Sequence, residues 1–343
     1  MKEKTEAFMK KGIALTLLLA LLLPLCACSA PKTVRIGLLE PLSGETAAPG
    51  LLEAEGVRAA WKALGQAGQW QVELVVRDAA QENAARELME AGCVAVIGSA
   101  QAAGELAERK IPLLSPCALS GEGENLFRLA PSDSDRQKAL ARFARERGWE
   151  RIAVVVDLEN AACVSLRDEF LAAAGEAVVA EARLGTDSPG AANDLMTAAP
   201  EAVYLAASPE RAGDLIQLLS PDLPLLCPDF WEDSLSELRE GIYCAGVTDG
   251  QSERLGSALR AVGVEEQTTR AALGYDAYVA LHAALSATTA PSPEALTAAL
   301  QTVRTEGILG PIAFQNGRRA PGCAVILTRS GDALSPAARY IDL

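Results

Sequence analysis

The sequence predicts an α/β fold of two doubly wound parallel-sheet lobes. One observation is the stretch CVAVIGSAQAAGELAERKIPLLSPCALSG, Cys93 to Gly121. In it two short apolar runs, Cys93–Ile97 and Ile111–Leu114, flank a helix-length segment rich in Ala, Glu and Arg. Bounded apolar runs around such a segment read as buried strands joined by a crossover helix. A second is that strand–helix alternation fills residues 34–114 and starts again over 151–227. Repetition on that scale implies two like α/β units, not a solenoid of short repeats. The third is size and composition. The chain has 343 residues, half of them hydrophobic, enough for two cores. Aromatics are only 4%, so Ala, Leu and Val must fill those cores.

The elements follow in order. Val34–Leu39 reads as a strand, and the Pro, Ser and Gly of 40–50 as a loop. A helix follows with Ala54, Val57, Ala60, Trp61 and Leu64 on one face. Gln71–Arg77 is a strand and Gln81–Ala91 a helix, leading into the Cys93 unit. Residues 115–135 break the rhythm with Pro116, Gly121, Gly123 and Pro131. Ser134 and Gln137 suit a capping box for a helix over Asp135–Arg147, which Gly148 ends. The second series places strands at Arg151–Val156, Ala177–Leu184, Ala202–Ala206 and Pro224–Cys227. Its helices fall at Ala161–Ala174, Ala191–Ala199 and Pro209–Leu219. Three more helices follow, Glu253–Val262, Thr268–Ala287 and Pro293–Val303. Pro311–Phe314 and Gly322–Thr328 then read as strands around the turn signal Asn316-Gly317.

The N-terminus carries its own signal. Lys10 and Lys11 precede an apolar run, Ile13–Leu23, too short to span a bilayer comfortably and suited to a signal-peptide core. Leu25-Cys26-Ala27-Cys28 resembles the bacterial lipobox, in which small residues precede a diacylated Cys. The resemblance implies a signal peptide over 1–27 and a lipid on Cys28, with a short linker over 28–33. Ordinary cleavage after Ala30 is the alternative.

The formal charge is −14, with no basic stripe, which argues against nucleic acid and against a flat contact with anionic lipid. Of eight Cys, six lie beyond the leader, widely spaced and without a CxxC pair, so no zinc pattern is present. Several sit in apolar runs, where Cys acts as a small hydrophobe, and free thiols are expected. His282 is the only His, so neither a multi-His metal site nor a local Cys–His pair is easily built. The glycines of GSAQAAG (98–104) have the wrong spacing for a dinucleotide loop. No cofactor and no catalytic residue are expected.

Eight stretches, taken together, resemble the branched-chain amino-acid (leucine-binding-protein-like) solute-binding proteins of ABC importers, the type I periplasmic-binding fold. They are VRIGLLEPLSG (34–44), RDAAQENAARELMEAG (77–92), VAVIGS (94–99), IPLLSPCA (111–118), FRLAPSDSDRQKALARFARERGWERIAVVVD (127–157), EAVYLAA (201–207), GYDAYVALHAAL (274–285) and LGPIAFQNG (309–317). Their order is the family's. The resemblance implies two lobes joined by three crossings, near Leu129–Asp133, Ala245–Gly250 and Gly310–Gln315. Lobe 1 would hold 34–130 and 250–310, and lobe 2 would hold 131–249 and 311–343. It further implies a small-molecule ligand between the lobes and an ABC permease as partner.

Ligands of open parallel sheets bind beyond the carboxyl ends of the strands, near helix N-termini. The strand-end loops put Ser99 and Ser115 there. By the resemblance, backbone N–H groups for an α-carboxylate fall on Ala102, Ala103, Cys117, Ala118 and Leu119. The hydroxyls that the family usually carries at the positions of Ala102 and Leu119 are absent. The second-lobe tyrosine falls on Ala161 and its aromatic partner on Ser208. Asp229, in CPDFWED, matches the acid that receives the ammonium; as a plain turn residue it would cap the chain after Pro228. Glu40, Ser43, Asp78 and Asp157 also end strands, Phe230 and Trp231 either stack on ligand or cover the lobe, and Asp276 reads as a helix-dipole partner. The expected function is lipid-anchored capture of an amino acid or similar small polar solute for import. The rivals are a sensory lipoprotein without transport and an enzyme using Cys117 or cleft carboxylates.

Overall fold

The computed structural model describes residues 32–45, 47–119, 121, 123–185, 188–232, 239–331 and 333–343. The leader and Cys28 lie outside them. The apolar runs become two seven-stranded sheets. The first contains β1 (Lys32–Glu40), β2 (Trp70–Asp78), β3 (Ala95–Gly98), β4 (Leu113–Ser115) and β5 (Leu126–Arg128), in the order β2-β1-β3-β4-β5. The second contains β6 (Ile152–Val156), β7 (Val178–Arg183), β8 (Ala202–Ala206), β9 (Leu225–Cys227) and β10 (Ile242–Gly246), in the order β7-β6-β8-β9-β10. The two orders are the same. In each, the order reverses beside the first strand, which makes a switch point between β1 and β3 and another between β6 and β8.

The strands earn their burial by composition. All five residues of Ile152–Val156 and of Ala202–Ala206 are buried, as continuous apolar runs in a doubly covered parallel sheet should be. Small residues do most of the filling, and the few aromatics pair: Phe170 stacks on Tyr204 at 3.9 Å between ring centroids. The six described cysteines, Cys93, Cys117, Cys163, Cys227, Cys244 and Cys323, are free thiols.

The helices α1 (Ala47–Leu64), α2 (Ala84–Glu90) and α3 (Ala103–Ala107) alternate with the first strands. Helix α1 starts inside the expected 40–50 loop, so the loop after β1 is short. Then α4 (Asp133–Glu146), α5 (Ala161–Ala174), α6 (Ser188–Thr197) and α7 (Pro209–Leu218) alternate with the second strands. The cap of α4 differs from the expected one. Ser132, not Ser134, accepts from the Asp135 N–H, and the Asp135 carboxylate accepts in return from the Ser132 N–H. A carboxylate two residues nearer than Gln137 closes the box, and Gln137 is buried instead.

After β10 the chain returns to the first lobe. Helices α8 (Glu253–Ala261), α9 (Thr269–Ser286) and α10 (Pro293–Thr302) share one hydrophobic core with β1, β3 and α1. Helices α1 and α9 approach closely through glycine: a Cβ on Gly56 would stand 2.0 Å from the Ala271 carbonyl oxygen.

The last strands correct the expected lobe division. Beyond the small pair β11 (Thr305–Glu306) and β12 (Pro311–Ile312), strands β13 (Phe314–Gln315) and β14 (Arg318–Arg319) form a hairpin in the first sheet. Arg318 pairs with Arg128 of β5. Residues 314–319, expected in lobe 2, therefore belong to the lobe 1 sheet. The reason is local. Asn316 and Gly317 both have positive φ, 51° and 69°, and close a two-residue turn whose twist suits a tight hairpin. The strand return therefore falls at once, not at Gly322–Thr328. Only β15 (Ala324–Ser330) and β16 (Ala333–Tyr340) join the second sheet, β15 antiparallel to β10 and β16 antiparallel to β15.

Asp276 is also not a dipole partner near a helix start. It lies within α9 with 0% exposure and bonds Arg319, also buried, at 2.8 Å. Its carboxylate accepts from the Ile308 and Leu309 N–H groups as well. A fully buried carboxylate requires such partners.

Candidate functional site

At the first switch point, the carboxyl ends of β1, β3 and β4 deliver Glu40, Ser99 and Ser115 to one cavity of about 260 Å³. Cys117 and Ala118 line it from the loop after β4, Glu53 from α1 and Arg270 from α9. Glu40 is only 2% exposed. Burial, then the Glu53 charge and a hydrogen bond to Glu53, push its carboxyl up to about 9, with Arg270 opposing. Glu40 therefore carries a proton at neutral pH. Arg270 Nη1 donates to Glu53 Oε1 at 2.5 Å. The loop after β1 is fixed by Asp78, which accepts from the Leu42 N–H and the Ser43 hydroxyl. Those bonds and that from Ala80 hold the Asp78 carboxyl down to about 2.

Ser99, Ser115, Cys117 and Ala118 thus line one cavity at the strand ends. Ala102 and Ala103 do not line this cavity. Residues 100–102 form a 3₁₀ turn, in which the Ala102 N–H donates to Ser99 and the Ala103 N–H to Ala100. The Ala103 side chain is buried in the core below. The Leu119 side chain is 46% exposed, and its carbonyl accepts from Arg128 Nη1. The Cys117 thiol is pushed well above its usual value, chiefly by burial and then by the Glu53 charge. A nucleophilic Cys needs the opposite shift, so this environment does not activate it.

At the second switch point, Asp157 follows β6 and Ser208 follows β8. Asp157 is buried and accepts from Arg211 Nε at 3.2 Å, while a second Arg211 nitrogen reaches Glu159 at 3.0 Å. The Ser208 hydroxyl caps α7 by accepting from the Arg211 N–H. Ala161, the first residue of α5, is exposed, and Asn160 caps that helix. Asp229 lies in a 3₁₀ turn over 229–232, and its Oδ2 stands 3.4 Å from Arg136 Nη2. Arg136 is almost fully buried and also bonds Asp133. Trp231 is 0% exposed and donates from Nε1 to the Ala207 carbonyl, so it covers the lobe; Phe230 beside it is 41% exposed. His282 is half-buried and bonds the Gln66 carbonyl.

Sequence reasoning missed Glu53, Arg270, Arg136 and Arg211. Each completes an ion pair or cluster with an acid far along the chain, which no local spacing marks; Arg136 also pairs with Asp133, three residues before it. The Asp229 pair has a measurable consequence. A carboxylate whose charge is engaged by a buried guanidinium has less to offer an ammonium. Asp229→Asn should leave the affinity for an amino-acid ligand within about threefold, measured by calorimetry. A loss of roughly 10- to 150-fold, the worth of a charge-assisted hydrogen bond, would return the ammonium to Asp229.

Two lobes of one topology, each with polar groups at its switch point, define a class of two-lobed binding proteins. A family model described as periplasmic binding protein matches residues 33–332, and the chain belongs to that family. Its fold is the type I form. It is similar over 89% of its length to 99% of a Rhodospirillum rubrum protein ascribed to a branched-chain amino acid ABC transporter, at 22% identity and a TM-score of 0.72. An ABC transporter substrate-binding protein from Desulfitobacterium hafniense, in complex with Leu, matches at 20% identity and a TM-score of 0.69, covering 89% of this chain and all of that one. A solute-binding protein of an ABC transporter from Rhodopseudomonas palustris, in complex with 3,4-dihydroxybenzoic acid, matches at 17% identity and 0.64, over 90% and 97%. No curated protein matches the sequence.

Proposed function

We propose that this chain is an extracytoplasmic solute-binding protein of an ABC importer, anchored by a lipid on Cys28. It captures a small polar solute, an amino acid or a compound of similar size, between its lobes. The observation that carries this reading is the matched pair of switch points, each furnished with buried or half-buried polar groups, in a chain of the periplasmic binding protein family. Neither an unactivated Cys117 nor a lone His282 supports a catalytic reading. The chain passes between the two sheets near 129–133, 245–250 and 319–324, the last later than the expected Gly310–Gln315 because residues 314–319 pair in the first sheet. Motion about these short crossings would close the lobes on the solute and present the loaded form to a permease.

A thermal-shift screen of amino acids and small carboxylates tests the reading, because a solute that binds only the folded state raises its melting temperature. Silence across the whole screen would count against capture of such solutes. The anchor has its own test. Among the described residues no helix is long and apolar enough to cross a membrane. If the lipid on Cys28 is the anchor, Cys28→Ala should move the protein from the membrane fraction to the soluble fraction, or leave it unprocessed. An unchanged membrane fraction of normally processed protein would rule out the lipid.

A further inference from the structure

The acid pair at the first switch point has no counterpart in the features that the resemblance assigned. Glu40 and Glu53 are both nearly fully buried, and they share one cavity wall. The charged and titratable groups facing Glu40 are Glu53 from α1, Arg270 from α9 and the Cys117 thiol from the loop after β4. Arg270 is engaged with Glu53. Glu40 hydrogen-bonds Glu53, yet its Oε1 is buried and has no donor among the described residues. A buried oxygen left without a donor costs free energy in the empty protein, so a donor supplied by a solute is worth more there than at the surface.

With both carboxyls ionised, two negative charges would face one guanidinium. The proton on Glu40 removes that imbalance in the empty protein. A cationic nitrogen can replace the proton: it brings the same charge and adds N–H donors for Oε1. In the second lobe the matching acid, Asp229, already stands beside Arg136. The first lobe therefore holds the anionic feature with an unfilled acceptor.

We propose that the first-lobe half of the site takes the cationic nitrogen of its solute, an ammonium or amidinium group, at the Glu40–Glu53 pair, and that binding releases the Glu40 proton to solvent. The proposal rests on the solute-binding reading and names the chemistry of its ligand. The sign of the pH dependence follows. Glu40 keeps its proton up to about pH 9 in the empty protein and must lose it to bind. Affinity for a cation should thus rise with pH, by up to roughly tenfold per unit between pH 6.5 and 8.5.

Calorimetry on the purified protein would use agmatine and 1,4-diaminobutane as cationic probes, with butyrate and 4-hydroxybenzoate as anionic ones. The expected result is binding of a cationic probe, with heats that differ between phosphate and Tris buffers by close to one released proton. Glu40→Gln keeps the shape but cannot ionise. It should bind the same probe at least about tenfold more weakly, with neither pH dependence nor proton release, and a melting curve would confirm that it folds. Cationic binding without proton release, or equal binding by Glu40→Gln, would overturn the proposal. So would binding of the anionic probes alone, which would leave solute capture standing. If no probe binds, the acid-pair assignment falls. Solute capture falls with it only when the wider thermal-shift screen is also silent.

Discussion

Arg319→Ala should destabilise the protein by about 3–5 kcal/mol, the usual cost of removing one partner from a buried ion pair. Arg319 and Asp276 are both 0% exposed in their side chains, and the pair is 2.8 Å long. The guanidinium also donates to the Pro311 and Gly310 carbonyls. Its loss leaves a carboxylate in the core with two backbone N–H groups and no counter-charge. The pair joins α9 to β14, just before the chain crosses to the second sheet, so the damage should extend to the crossing. Urea denaturation of both forms measures the effect. The double variant Asp276→Leu/Arg319→Met should regain most of the stability, because replacing both partners by apolar groups of similar size is often neutral. A single-variant cost below about 1 kcal/mol would mean that water or a neighbouring group replaces the guanidinium.

Gly274→Ala should cost about 1–3 kcal/mol and also weaken solute binding. A Cβ on Gly274 would stand 2.2 Å from the Glu53 carbonyl oxygen. The obstacle is backbone, so α1 and α9 must separate. That displaces Glu53 and Arg270, one on each helix, and with them the floor of the cavity. Gly213→Ala is the control: its added Cβ meets nothing within 4 Å, on helix α7. There the gain in helix propensity should stabilise the protein by roughly 0.5–1 kcal/mol. Equal melting temperatures for Gly274→Ala and the unmodified protein would show that the helix contact is soft.

Much of the fold was legible in the sequence. Ala161–Ala174 and Ala202–Ala206 fall on the expected residues, because composition, cap and period agree there. β5 and β10 escaped notice as separate strands, since LFR and IYCAG are too short to show a period among loop residues. The candidate site was legible in part. Strand ends could be found, so Ser99, Ser115 and Cys117 could be placed beside the switch point. Their electrostatics could not.

The sequence by itself determined the two α/β lobes, the order of their elements and the loops that carry polar groups. These follow from hydrophobic period, small-residue content and turn chemistry, which act over a few residues. Only the tertiary structure decided what those polar groups do. It set Glu53 against Arg270, Arg319 against Asp276 and Arg136 against Asp229, and it brought Glu53 to Glu40. It also returned the Asn316-Gly317 hairpin to the first sheet. The physical reason is that a charge's state depends on burial and on neighbours across space. The partner of Glu53 lies 217 residues away, and no local pattern of residues records that distance.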